Sequence, residues 1–189
     1  VITALAENKN INKNMQLKRI QYGNHYVNYY LAKHLNVNKD VQLILSESES
    51  EDVVCSLAKN ININENVQLI LLQNKNNNVR FYLAENLNIS KDVQLALAQD
   101  QNKSVRCSLA KNKNIYEDVQ LMLVDDKEYM VRESLAGNLN ISEMSQLKLL
   151  EDCNYKVRSS LAYNGKISEI LQLKLAKDQS DDVRVSLAA

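Results

Sequence analysis

The stretch Val79–Ser104, VRFYLAENLNISKDVQLALAQDQNKS, returns 26 positions later as Val105–Met130, VRCSLAKNKNIYEDVQLMLVDDKEYM. Val1, Val27, Val53, Val79, Val105, Val131, Val157 and Val183 mark the same step along the chain, so 1–189 reads as a single array of about seven units. A unit this short cannot bury an apolar face by itself. It must stack on its neighbours, and the core becomes a line rather than a ball. Such arrays present long surfaces, which suit binding better than chemistry.

Each unit predicts two short helices. Asn12, Asn38, Asn64, Ser90, Ser142 and Ser168 share the phase of an N-cap, with Tyr116 in place of a capping residue. The first helix then runs through VQLxLAxD and ends near Asp100, Asp126, Asp152 and Asp178. After a short polar loop comes the second helix, VRxSLAxN. It ends at Asn60, Asn86, Asn112, Asn138 and Asn164, a residue type expected there in the left-handed conformation. Neither helix is long enough to stand alone in water, so both depend on neighbours.

The repeated apolar positions predict the packing. Val105, Ser108, Leu109 and Asn112 fall at i, i+3, i+4 and i+7 and line one face of the second helix. The alanine after that leucine, as at Ala110, permits close approach. In the first helix Val93, Leu95, Leu97 and Ala98 spread over more than half of the circumference, and cover is expected on two sides. Amid that arc stands a glutamine: Gln16, Gln42, Gln68, Gln94, Gln120, Gln146 and Gln172. A buried amide without partners costs about 1–3 kcal/mol, so each glutamine is expected to bond backbone groups of an adjacent Asn-x-Asn loop.

Arg80, Arg106, Arg132, Arg158 and Arg184 form a second polar row. Asp100, Asp126, Asp152 and Asp178 each precede one of the last four by six residues, which predicts an Arg–Asp ladder between the two helices of a unit. Paired guanidinium groups make poor phosphate grips, so this row does not point to nucleic acid.

Composition narrows the function classes. Lys+Arg and Asp+Glu both number 23, so no net field draws in a polyanion or an anionic membrane. No apolar run reaches the length of a membrane span. Cys55, Cys107 and Cys153 are too few and too scattered for a disulfide framework or a metal site, and a reduced cytoplasmic setting is expected. Enzyme signatures are missing: three glycines build no phosphate loop, and neither HExxH nor CxxC occurs. No enzyme activity, metal or cofactor is expected.

The succession VRxSLAxN, NIxxDVQLxLAxD and VR closely resembles the leucine-rich repeat variant family along the whole chain. The resemblance implies an all-α, right-handed superhelical solenoid of 26-residue two-helix repeats, α/α or α/3₁₀, without β-strands. Where that family usually carries proline after the Asn, this chain has Lys9, Leu35, Ile61, Leu87, Lys113, Leu139 and Gly165, and it contains no proline at all. The cysteine-rich segment that accompanies an iron–sulfur cluster in a member of the family has no counterpart here.

The variable positions are where a partner would bind. Tyr26, Tyr29, Cys55, Phe81 and Cys107 fall on the outward phases of the second helix and are expected to bind a protein or peptide partner, with Tyr29, Cys55, Phe81 and Cys107 forming a semi-apolar stripe. Tyr30 and Tyr82, one place on, are expected to pack between units. Nucleic-acid backbone binding is the alternative, disfavoured by the charge balance. Both ends stop in the middle of a unit without a capping repeat, so the chain is expected to be a segment of a longer repeat protein, or to self-associate through uncapped ends.

Overall fold

The computed structural model describes residues 11–189. The positions of the repeat at Val1, Leu5, Ala6 and Lys9 lie outside them. Among the described residues every regular element is an α-helix. In chain order these are α1 (Lys13–Tyr22), α2 (His25–Lys33), α3 (Lys39–Ser46), α4 (Glu51–Ala58), α5 (Glu65–Leu72), α6 (Asn77–Glu85) and α7 (Lys91–Leu97). They continue as α8 (Lys103–Ala110), α9 (Glu117–Leu123), α10 (Tyr129–Ala136), α11 (Glu143–Leu150), α12 (Tyr155–Tyr163), α13 (Glu169–Leu175) and α14 (Asp181–Leu187). Odd-numbered helices carry the glutamine and even-numbered ones the valine and, four residues on, the Leu-Ala pair, as in Val27, Leu31 and Ala32. Among the described residues both members of each repeat are α-helical, so of the two repeat types expected these are α/α.

The chain divides into two compact units, Val1–Val93 and Gln94–Ala189. Within each, an odd helix packs on the even helix that follows, and helices of one parity stack on the next of the same parity. Packing is closer along the even row than along the odd row. The alanines explain this: Ala32, Ala58 and Ala84 in the first unit, and Ala110 and Ala136 in the second, are buried and leave room for a neighbouring backbone. Beside them Leu31, Leu57, Leu83, Leu109, Leu135 and Leu161 are fully enclosed.

Caps form as the sequence predicts at most odd helices. The side chains of Asn12, Asn38, Asn64, Ser90 and Ser142 accept from N–H groups of the first turn. Tyr116 and Ser168 occupy the phase without a side-chain cap bond.

The asparagines that end the even helices correct the expected left-handed turn. Among the described residues no non-glycine residue has positive φ. Asn86 lies at φ −68° and ψ 124°, in the extended region. Its amide reaches back one repeat, where Nδ2 donates to the carbonyls of Ala58 and Asn60, both at 2.8 Å. Its Oδ1 accepts from Asn88 N–H at 3.0 Å. Asn60, Asn138 and Asn164 do the same. A side chain tied at both ends to fixed backbone holds its own backbone extended, whatever its turn preference. His34 stands in this series, and its Nδ1 accepts from Asn36 N–H at 3.2 Å.

The glutamines form the second set of staples. Gln42 Nε2 donates to Val37 O in its own repeat and to Asn62 O in the next, both at 3.0 Å. Its Oε1 accepts from Asn64 N–H at 2.9 Å and from Asn64 Nδ2 at 2.8 Å. Gln16, Gln68 and Gln120 repeat the pattern of two carbonyls and one N–H. The amide thus sews its own loop to the next Asn-x-Asn loop, as expected from its burial.

Arg and Asp do form a ladder, but between repeats rather than within one. Arg106 Nη1 donates to the backbone carbonyl of Asp100 at 2.6 Å, six residues back. Its bidentate carboxylate partner is Asp126 in the next repeat, at 2.6 and 3.0 Å. Arg132–Asp152 and Arg158–Asp178 are built alike. Each of these aspartates also turns the loop by accepting from the N–H two residues on.

The Arg158 guanidinium, with the Ser180 N–H, holds the Asp178 carboxyl below its ordinary 3.8. A lowered folded value means that the ion pair stabilises the fold above pH 3.8 and that this contribution is lost as the pH falls through the lowered value. Asp178→Asn should therefore be less stable than the parent chain at neutral pH. The difference should vanish in acid, as read by urea denaturation at a series of pH values. A difference that persists undiminished at pH well below 3.8 would show that the charge is not its source.

Candidate interaction surfaces

In the first unit the aromatic positions of the even row lie at different depths. Tyr26, in the first turn of α2, is 62% exposed, with its ring centroid 4.2 Å from that of His25. Tyr29 is half-buried, edge-on to Tyr30 at 5.4 Å, with the Lys33 ammonium 5.1 Å from its ring. Phe81 is likewise half-buried and edge-on to Tyr82 at 5.4 Å. Cys55, between them in sequence phase, is buried, and burial pushes its thiol above the ordinary range. Close stacking of α2, α4 and α6 explains this: the phase expected to face outward lies at the seam between even helices. Tyr26 is the fully outward member in this unit.

Cys107, on α8 in the second unit, is half-buried, and its thiol is raised by burial as well. All three cysteines are free thiols, Cys153 being exposed. Tyr82 carries the Lys59 ammonium 3.5 Å above its ring, a cation–π contact reaching back one repeat.

The acidic stretch Glu47, Glu49, Glu51 and Asp52 is exposed. Glu51 accepts from Asn78 Nδ2 at 2.8 Å, a bond that lowers its carboxyl.

A second apolar surface escaped the sequence reading. The leucine of VQL was expected to be covered, yet Leu43, Leu69, Leu147 and Leu173 are exposed. In the first unit Leu43 and Ile44 on α3 stand beside Leu69 and Ile70 on α5, the last two at 47% and 39% exposure. The looser packing along the odd row leaves one flank of each odd helix open. The missed signal was the large apolar residue that follows the VQL leucine at Ile44, Ile70 and Met122, where other repeats have Lys18, Ala96, Lys148 or Lys174.

Two grooves open on the loop edge that follows the even helices. One, of about 200 Å³, lies in the first unit between Lys59, Ile61, Tyr82, Glu85 and Leu87. The other, of about 410 Å³, lies in the second unit between Lys111, Lys113, Ser134, Gly137, Leu139 and Lys166. Among the described residues no group of acids, histidines and cysteines is placed to hold a metal ion. No described helix is long and apolar enough to cross a membrane.

No family model and no curated protein matches this chain. A solved structure does: a leucine-rich repeat variant with a novel repetitive protein structural motif. It is 19% identical with a TM-score of 0.65, and the match covers 100% of this chain and 79% of that one. The fold is that of a leucine-rich repeat variant. At this identity the likeness carries the architecture alone. In this leucine-rich repeat variant fold the recurring glutamines and asparagines staple each repeat to the next through hydrogen bonds such as those of Gln42 and Asn86.

Proposed function

We propose that this leucine-rich repeat variant is a protein-interaction scaffold, without catalytic activity, whose first unit binds a protein or peptide partner through the even row. The observation that carries the reading is Tyr26, an exposed aromatic whose ring lies tilted against His25, on the same even row that holds the half-buried Tyr29 and Phe81. Aromatic side chains bring large contact area at little entropic cost, which is why they anchor interfaces. Cys55, buried in the same unit, would line the floor of such contacts rather than touch the partner first. Free thiols fit a reducing, cytoplasmic setting.

Leu43, Ile44, Leu69 and Ile70 favour a second reading, in which the partner lies along the odd row of the same unit. Nucleic-acid backbone binding gains no support from the arginines, since Arg106, Arg132 and Arg158 each hold a carboxylate.

Affinity capture from a nuclease-treated lysate separates the readings. The parent chain is compared with Tyr26→Asp/Phe81→Ser and with Leu69→Ser/Ile70→Ser, all matched in melting temperature. A protein kept by the parent and the second variant but lost by the first supports the even row. Loss only with the second variant moves the site to the odd row. The same set on all three removes both surfaces.

A further inference from the structure

The two loop-edge grooves are the same place in the repeat, so the chain supplies its own comparison. In the first unit Lys59 is capped by the Tyr82 ring and faces a wall containing Glu85. Two repeats on, Lys111 takes the place of Lys59, Ser134 that of Tyr82, Gly137 that of Glu85 and Lys113 that of Ile61. The ring that covered the lysine is gone, the acid in the wall is gone, and a second cation has replaced an isoleucine. Lys166, from the following repeat, adds a third. The groove is twice as large, about 410 against 200 Å³.

We propose that this groove binds a small free polyphosphate anion. Lys111, Lys113 and Lys166 are all exposed at its rim, and among the described residues none of them has a carboxylate partner. The neutral side-chain donors of the wall are engaged: Asn138 Nδ2 with Ala110 O and Asn112 O, Asn140 Nδ2 with Lys113 O, and Ser134 Oγ with Met130 O. Among the side chains, what remains to recognise a ligand is ammonium charge, three rotatable donors on each lysine. No aromatic lines the groove, so a nucleobase would find no stacking surface, and Leu139 alone offers little to an acyl chain. Charge recognition without shape or stacking favours the ligand with the densest charge. Carboxylates on an extended peptide are set apart by about 3.3–3.6 Å per residue of chain, whereas adjacent phosphates share a bridging oxygen. The volume lies in the range of small-molecule sites, about 300–1,000 Å³.

The test is calorimetry with inorganic tripolyphosphate in low-salt, metal-free buffer. The parent chain is expected to bind it one to one, with affinity falling as salt is added. Lys113→Ile/Lys166→Asn puts into the groove the residues that the chain itself carries at Ile61 and Asn140, so the repeat geometry is kept. This variant should bind about twenty-five-fold more weakly, roughly fivefold per lysine removed. Lys127→Asn/Lys174→Asn changes the net charge equally outside the groove and should leave binding unchanged. Amide chemical shifts of the parent chain, which need no variant, should move at Lys113, Leu139 and Lys166. Absence of binding, equal loss in both variants, shifts elsewhere, or equal affinity for a glutamate-rich peptide of the same charge would each overturn the proposal.

Discussion

Asp126→Asn is expected to destabilise the second unit by about 3 kcal/mol, near the low end of the cost of breaking a buried ion pair from one side. The substitution keeps the loop-turning bond from Glu128 N–H to the side-chain oxygen. It removes the charge that faces Arg106, a guanidinium only 5% exposed. The arginine still donates to Asp100 O, so it is not wholly abandoned, which sets the value at the low end. The chain also shows how the pair is replaced without a charge: two repeats earlier the same two places hold Val54 and Asn74, with Val54 buried. Arg106→Val/Asp126→Asn should therefore cost less than Asp126→Asn alone. Urea denaturation of the two variants decides the matter. A double variant as damaged as the sum of its parts would mean that the pair stabilises by attraction rather than by avoiding an orphaned charge.

Gln42→Leu should cost a similar amount, about 3 kcal/mol, although leucine fills the space and adds apolar surface. The loss lies in what is left behind. Val37 O, which is buried, loses its donor, as does the part-buried Asn62 O, and Asn64 N–H loses its acceptor; a buried orphan costs on the order of 1–3 kcal/mol and a part-buried one less. Gln172 gives the contrast within the same chain. It is exposed and is bonded to Ile167 O, so Gln172→Leu should change stability by less than about 1 kcal/mol. Hydrogen exchange at Asn64 would rise in the first variant, reporting the loop coming away from the repeat before it. If Gln42→Leu melts at the parent temperature or above, the staple is not what holds the loops together.

Period and polarity made much of this legible. The valine, leucine and alanine phases name the core, and among the described residues they are enclosed up to the last helix, where Leu187 is half-buried and Ala188 exposed. A glutamine in an apolar arc must find partners, and the neighbouring loop is the nearest supply. What failed was every inference in which two placements shared one phase. Asn86 reads as a left-handed cap or as a staple one repeat back, and both put asparagine at the same position. Arg106 sits six residues after Asp100 and twenty before Asp126, and a strict repeat makes the two candidates indistinguishable.

The candidate surfaces were less legible for the same reason. Whether Tyr29, Cys55 and Phe81 face solvent depends on how closely the even helices stack, and periodicity along one helix carries no information about that spacing. The VQL leucine reads as interior because leucine in an apolar arc ordinarily is, yet the looser odd row leaves Leu69 exposed.

The amino-acid order alone determined the repeat, its two helices, its core residues and the need for polar staples, because these follow from the chain's own period and from the cost of unpaired buried groups. The tertiary structure decided which repeat each staple reaches, how deep each aromatic lies and where three lysines meet. Those depend on distances between units, and a sequence that repeats every 26 residues offers the same partner at every multiple of that step.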